Sequence, residues 1–416
     1  MKSNFAVAVL NHEIGSGRTD MSRFGAVVAA GEAQKQAEEQ DFAEHVTIIE
    51  LLVMDANPSP SNEGPQPNPV VSVIVPARNE EACLGECLRS LQAQSDIEFE
   101  VIVVNDNSTD KTASIARTHG AKVIDAPPLP EGWTGKSHAV YCGAQAARGQ
   151  WLLFTDADTI HRHGSLRRAV AEAEEHGVEM LSYSPKQEVR GLWERSLMPV
   201  IFAELRSQYP PREVSNPDSP VAAANGQYIL IRREVYDAIG GHAAIRDSLL
   251  EDVELARRLK QSGRAIRFRY GRDALKTRMY RTFPQMWEGW TKNLALLFPS
   301  PVQLAALRTL EFLASFLGLL GLVGGLMLGR HWLTGAGALV TIPVTTNFFL
   351  RIRRAHFGWI NTILSPAGLP VFVLLLLNSR LHYKRNQVRW KGRDYAPVKA
   401  SNKSRKEIIE SALSIR

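Results

Sequence analysis

Residues 70–110 read VVSVIVPARNEEACLGECLRSLQAQSDIEFEVIVVNDNSTD. Two apolar runs, VVSVIVP at 70–76 and FEVIVVND at 99–106, enclose a helical stretch through Leu91. Runs so uniformly apolar suit strands covered on both faces, as in a parallel sheet. The alternation continues outward with a helix over 110–119, then KVIDA at 122–126 and WLLFTDAD at 151–158. Strand and helix in turn predict βαβ units. In such sheets ligands lie beyond the carboxyl ends of the strands. Three strands end there in polar groups: Asn79 and Glu80, Asp106, then Asp156 and Asp158. The chemistry is expected along that rim.

The chain has 416 residues, room for one domain of about 200–250 residues and further segments. Its mean hydropathy of −0.16 averages a charged front against a strongly apolar last third. Three segments there, 312–329, 332–350 and 359–377, each approach the roughly 20 residues needed to cross a bilayer. Arg351, Arg353 and Arg354 place the second loop in the cytoplasm by the positive-inside rule. Three full crossings would leave the basic stretch 380–393 outside, against the same rule. Ser365, Pro366, Gly368 and Pro370 interrupt the third segment, so a re-entrant or broken helix returning to the cytoplasm is the preferred reading. The expected organisation is a weakly ordered extension over 1–69, a catalytic domain over 70–300, two or three transmembrane helices over 301–380, and a basic tail over 381–416. The extension carries no signal-peptide order and ends in the linker-like NPSPSNEGPQPNP at 57–69. The expected location is the inner (plasma) membrane, multi-pass, with the catalytic domain cytoplasmic.

The net charge is +6, and the basic residues gather around the apolar segments and in the tail, as an anionic membrane surface requires. No zinc-finger or RNA-binding pattern is present, so nucleic acid is not an expected partner. Cys83, Cys87 and Cys142 form no C-x-x-C pair, and Cys83 and Cys87, four apart on an expected helix, are read as buried thiols of a reduced domain.

Four motifs carry the chemistry. Asp156 and Asp158 follow a buried strand, and two carboxylates so close repel unless a cation joins them. A hard ion, Mg²⁺ or Mn²⁺, binds carboxylate and phosphate oxygens together. In VIVPARNE, 73–80, a strand turns into a helix whose N-terminus suits ribose or phosphate. Asn79 as an N-cap with Glu80 in the first turn accounts for those two residues equally. In VIVVNDNSTD, 101–110, Asp106 can accept hydrogen bonds from a base or sugar, whereas Ser108 or Asp110 reads as a plain cap. In LLEDVELARRL, 249–259, Glu251 and Asp252 open an amphipathic helix, where a carboxylate serves as general base or merely complements the dipole.

Taken in order, these motifs resemble glycosyltransferase family 2, whose members adopt the GT-A fold, an α/β Rossmann-like domain with a mostly parallel sheet. The likeness runs over 71–293. It implies an inverting hexosyltransferase using a nucleotide-diphosphate sugar, with UDP preferred by analogy alone. It implies that Pro76, Asn79 and Glu80 line the nucleoside pocket, that Asp106 contacts the base, and that Lys136 approaches the pyrophosphate. Asp156 and Asp158 would be the nucleotide and metal aspartates. Asp252 would be the catalytic base and Glu251 its neighbour. PEGWTGK at 130–136 and WKGRDY at 390–395 are similar to membrane-anchored members associated with hopanoid and carotenoid pathways, which implies a lipid or isoprenoid-type acceptor. Two departures stand out. Asn105 occupies a frequently acidic position, and the Q-x-x-R-W motif of processive synthases is replaced by TFPQMWEGWTKN at 282–293. Trp287 and Trp290 there suit either an interfacial helix or the core. The competing readings are a non-catalytic nucleotide-binding scaffold, against which Asp158 and Asp252 together count, and a polysaccharide synthase, against which the missing motif counts.

Overall fold

The valine-rich runs form the middle of a seven-stranded sheet in the computed structural model, which describes residues 68–395. These residues fall in a unit that begins at Asn68. Residues 1–67 of the expected extension and 396–416 of the expected tail lie outside the described residues. In chain order the elements are β1 (Val71–Ala77), α1 (Leu84–Gln92), β2 (Phe99–Asn105), α2 (Thr112–Thr118), β3 (Lys122–Asp125), α3 (Gly135–Ala146), β4 (Trp151–Phe154) and β5 (Thr159–His161). There follow α4 (Ser165–Glu175), β6 (Met180–Ser184), β7 (Lys186–Gln187), α5 (Leu192–Gln208), α6 (Pro211–Ser215), β8 (Ile229–Arg232) and α7 (Arg233–Ala238). A 3₁₀ turn at Gly241–Ile245 leads to α8 (Glu251–Gln261), β9 (Ile266–Tyr270), β10 (Leu275–Thr277) and α9 (Phe283–Leu297). The described residues end with α10 (Pro301–Met327), α11 (His331–Arg354), α12 (Trp359–Lys384), β11 (Val388–Trp390) and β12 (Arg393–Tyr395).

The main sheet runs β3-β2-β1-β4-β8-β6-β9. Only β8 opposes the rest, pairing antiparallel with β4 and β6. Alternate residues of β1 enter different cores: Ile74 packs with Ile102 and Phe154, and Val73 and Val75 pack with Val103 and Leu153. Burial on both faces is why these strands are apolar throughout. In-register pairing of Ile74 with both Ile102 and Phe154 brings the carboxyl ends of β1, β2 and β4 to one edge. That edge is the rim expected from the sequence.

A third core joins α5, α9 and α12 through Leu197, Ile201, Trp290, Leu294, Phe372 and Leu376. The helices α10, α11 and α12 all have the length and hydropathy of membrane spans, and in α10 and α11 only 11% of the apolar stretch is buried. In α12 the share is 39%, because this helix lies against the rest of the protein along its length. Just before it, the His356 ring sits 4.7 Å from that of Tyr270. In its middle, a Cβ on Gly368 would stand 2.2 Å from the Ser196 carbonyl oxygen of α5. Near its end Ser379 donates to the Thr291 carbonyl at 2.6 Å and Tyr383 to the Lys292 carbonyl at 2.6 Å.

The third apolar segment is therefore not broken at its prolines, as the sequence suggested; α12 is continuous through Pro366 and Pro370. Pro366 has no N–H for the Thr362 carbonyl, and the Ser365 hydroxyl donates to that carbonyl at 2.6 Å instead. All three helices also outrun the expected segments. The stretch expected as a basic tail begins as the last turn of α12 and then turns back in the β11–β12 hairpin.

A buried charge cluster seats α10 and α11 on α5. Arg308 donates to Glu204 at 2.9 Å and to Glu311 at 3.0 Å, and Arg351 donates to Glu311 at 2.8 Å. The Gly368 contact gives a test of the α12 seat. Gly368→Val should lift α12 from α5 and destabilise the protein by about 1–3 kcal/mol, read as a lower melting temperature in detergent. An unchanged melting temperature would contradict the close approach.

Candidate functional site

The first wall of the site is the turn after β1. Pro76 is tolerated in a central strand because of where its nitrogen faces. Ala77 accepts from Asp106 on the β2 side and Ile74 from Thr155 on the β4 side. The Pro76 nitrogen therefore faces the β4 side, beyond Phe154, the last residue of β4 paired with β1. Asn79 follows with a φ of +53°, a left-handed conformation that asparagine tolerates. Its amide donates to Ser108 Oγ at 3.1 Å and its Oδ1 accepts from the Thr109 amide at 2.9 Å. Asn79 is thus a clamp between two loops and not an N-cap; Cys83 holds the cap position of α1. Asp110 is structural as expected, accepting from the amides of Thr112 at 3.0 Å and Glu81 at 3.1 Å.

Glu80 and Asp106 carry partners that the sequence reading did not foresee. The Glu80 carboxylate pairs with Lys391, and Asp106 accepts both arms of Arg393, at 2.6 and 2.8 Å. Both bases come from the β11–β12 hairpin. The sequence signal was WKGRDY, visible as a pattern but without a place in the fold.

The second wall is the start of α3, where Thr134 caps the helix by accepting from the Ser137 amide. Lys136 in its first turn reaches Asp156 at 2.8 Å and Glu251 at 2.9 Å. Burial opposes the lysine charge, yet Asp156 and then Glu251 outweigh it and hold the pKa well above the usual value. Glu251 is likewise pushed up by burial but held low by Lys136 and by Lys292 of α9. Glu251, expected only as a neighbour, is the partner of Lys136; Lys292 was not anticipated at all.

Asp158 lies between β4 and β5, and its Oδ1 is buried without a hydrogen-bond partner. Burial, then the charges of Asp156 and Glu80, raise its pKa from 3.8 to about 7. A carboxylate oxygen in that condition fits a divalent cation. Among the described residues no group of three or more His, Cys, Asp or Glu stands ready to hold a metal. Asp158 and Asp156 would therefore hold it together with oxygens from a ligand.

Asp252 stands in the first turn of α8. Its Oδ2 accepts from the Gly226 amide at 2.9 Å and its Oδ1 from the Val253 amide at 2.8 Å. Burial, then the Glu251 charge, raise its pKa to about 6. It borders a cavity of about 190 Å³ with Lys136 and Asp156 at the polar end and Phe202, Leu205, Trp290 and Leu297 on the apolar wall. Trp290 is thus a buried wall residue, while Trp287 is half-buried beside it. The structure brings Lys136, Asp156, Glu251 and Asp252 to one cavity. Asn79, Glu80 and Asp106 stand along the adjoining edge. All three cysteines are free; Cys87 is buried as expected and burial pushes it up to about 12, whereas Cys83, expected to be buried, is only half-buried.

A model described as glycosyl transferase family 2 matches residues 72–240. A 4,4'-diaponeurosporenoate glycosyltransferase of Staphylococcus aureus strain MRSA252 is 30% identical over 338 residues, covering 78% of this chain and 88% of that protein. The protein of the same description from strain bovine RF122 / ET3-1 is likewise 30% identical with the same coverage. Among solved structures, a mannosyltransferase from Pyrobaculum calidifontis in complex with GDP-Man and Mn²⁺ is 18% identical, covers 79% of this chain and 90% of its own, and has a TM-score of 0.46. A glucosyl-3-phosphoglycerate synthase from Mycobacterium tuberculosis, in complex with Mn²⁺, UDP and glucosyl-3-phosphoglycerate, is 23% identical over 55% of this chain and 78% of its own, with a TM-score of 0.37.

The raised carboxyls set a pH dependence of stability. Asp158 and Asp252 bind protons more tightly folded than unfolded, so their contribution is complete below about pH 4 and is lost as pH rises through about 6 and 7. Asp158→Asn should flatten part of that decline, so that its melting temperature gains on the wild type between pH 5 and pH 8. Mn²⁺ should raise the wild-type melting temperature at pH 8 and leave the variant unmoved. Equal responses of the two proteins would remove Asp158 from the cation site.

Proposed function

The chain belongs to glycosyltransferase family 2, and we propose that it catalyses a single inverting transfer from a nucleotide-diphosphate sugar to a lipid acceptor of isoprenoid or carotenoid type. UDP is the preferred nucleotide by family analogy. The observation that carries the reading is Asp252, a buried carboxylate fixed by the Gly226 amide at the meeting of the Lys136–Asp156 pair and an apolar-walled cavity. The printed description of the S. aureus relatives supports the acceptor class, as does a wall of Phe202, Leu205 and Leu297 suited to a hydrocarbon chain.

The donor nucleoside lies along Pro76, Asn79, Glu80 and Asp106, and Lys136 reaches its diphosphate. With a pKa of about 6, Asp252 is ionised at neutral pH and accepts the proton of the acceptor hydroxyl. As that proton leaves, the acceptor oxygen forms its bond to the anomeric carbon from the face opposite the diphosphate. The bond from that carbon to the phosphate oxygen breaks, and the nucleoside diphosphate departs with the electron pair. A divalent cation on Asp158 and Asp156, when bound, offsets the charge of the departing diphosphate.

The reaction takes place at the cytoplasmic face. In this arrangement α10 and α11 cross the membrane and α12 lies at its surface. The β11–β12 hairpin pairs with Asp106 and Glu80, so it shares a side with the catalytic residues and an even number of crossings separates them. Asn386→Cys should accordingly be labelled from the same side of a sealed vesicle as His163→Cys. Labelling from opposite sides would give α12 a full crossing.

Asp252→Asn should lower kcat by about 10²–10⁴-fold and leave donor binding intact, measured as label passing from UDP- and GDP-sugars into bacterial lipid. Undiminished turnover would dismiss Asp252 as the base, and donor binding with no transfer by the wild type would favour the scaffold. A base must be deprotonated, so kcat should rise with pH through about 6 and level off above it. Glu251→Gln removes a like charge beside Asp252 and should move that limb to lower pH. A limb that stays in place would separate the two carboxylates.

A further inference from the structure

The β11–β12 hairpin reaches from the end of α12 to the donor edge, and its tip is wedged between three elements. The Lys391 amide donates to Glu288 of α9 at 3.2 Å, and its ammonium donates to the Arg78 carbonyl at 3.1 Å while pairing with Glu80. Arg78 in turn donates to the Lys391 carbonyl at 3.4 Å and to the Asp106 carbonyl at 2.9 Å. Lys391 holds a φ of +47° and Gly392 one of +73°, the pair of left-handed residues that a two-residue hairpin turn demands. A lysine at the first of these positions is unusual, and here its side chain is the one that reaches Glu80.

Arg393 forks onto Asp106, whose side chain is only 8% exposed. A Cβ on Gly135 would stand 1.8 Å from Arg393 Nη1, so the glycine at the start of α3 leaves the space the guanidinium fills. Glu80, Asp106, Asp156, Glu251 and Asp252 gather at the donor edge or the adjoining cavity, while Asp158 borders a neighbouring pocket with Lys276 and Arg281. Lys136 and Lys292 face these carboxylates from the catalytic domain, and Arg78 stands at the same edge on the Asp106 carbonyl. A nucleotide diphosphate brings two more negative charges to that edge, and without further cations its approach is opposed.

We propose that Arg393 and Lys391 belong to the donor site as positioning residues, holding Asp106 and Glu80 in place and cancelling their charge so that the nucleoside end admits an anionic nucleotide diphosphate. This rests on the reading of that edge as the donor site. It also makes the seat of α12 a determinant of donor affinity, because the hairpin is carried on the end of that helix.

The test uses the full chain in detergent, with UDP and GDP as binding probes and donor KM and kcat measured separately. Arg393→Ala should weaken nucleoside-diphosphate binding and raise donor KM by roughly tenfold or more, with kcat at saturating donor changed less than about twofold. Arg393→Lys keeps the charge but not the fork and should fall between the two. Adding Asp106→Asn to Arg393→Ala removes the carboxylate left unpaired and should recover part of the lost binding. Melting temperatures of the variants identify any loss due to misfolding, and Arg393→Lys carries the test if Arg393→Ala does not fold. Binding that is unchanged, or tighter, in either folded Arg393 variant overturns the proposal, the tighter result making the hairpin a strap that shuts the site. A wild type that binds neither UDP nor GDP overturns the donor-site reading along with it, whereas binding that ignores Arg393 overturns the hairpin role alone.

Discussion

One ammonium group joins the parts of this site. Lys136 stands between Asp156, just past the end of β4, and Glu251, which opens α8 nearly a hundred residues later. Carboxylates gathered around a partly dry cavity repel, and burial adds to the cost of each charge. Lys136 offsets that cost by pairing with two of them, and with Lys292 it holds the Glu251 carboxyl low. Asp158 and Asp252, which lack a direct basic partner, are the two driven upward in pKa. The same electrostatics thus separates a carboxyl suited to a cation from one suited to accept a proton.

The membrane-facing part of the protein is organised by a second, different use of charge. Glu204, Arg308, Glu311 and Arg351 are nearly excluded from solvent, and each has opposite charge within reach. Such a cluster contributes little net stability, but breaking it leaves a charge stranded. Its effect is to fix where α10 begins and α11 ends relative to α5. With that seat fixed, α5 and α9 present Phe202, Leu205, Trp290 and Leu297 to the cavity, and the apolar wall of the site adjoins the helices suited to a bilayer.

Much of the rim was legible because its signals are local. A strand that is apolar throughout must be buried on both sides, and parallel strands in register bring their ends together, so Asn79, Asp106 and Asp156 share an edge without further information. Local signals also misled where a second partner intervened. Asn79 has the composition of a cap but is used as a clamp between two loops. Pro366 marks a break only if nothing replaces its missing N–H, and Ser365 satisfies the carbonyl left free. Trp287 and Trp290 have one spacing and two environments, decided by which face of α9 meets α5.

The sequence by itself determined the alternating α/β domain, the acidic rim, the apolar helices after it and the family to which the chain belongs. These follow from periodicity, strand ends and ordered motifs, each contained in a short stretch. Tertiary structure alone decided that Lys136 pairs with Glu251, that α12 lies along the protein without a break, and that Arg393 meets Asp106 across 287 residues. Such pairings depend on where whole elements are laid down, which is set by the packing of α12 on α5 and α9. The hexapeptide WKGRDY after α12 carries no sign of the carboxylates waiting for its lysine and arginine.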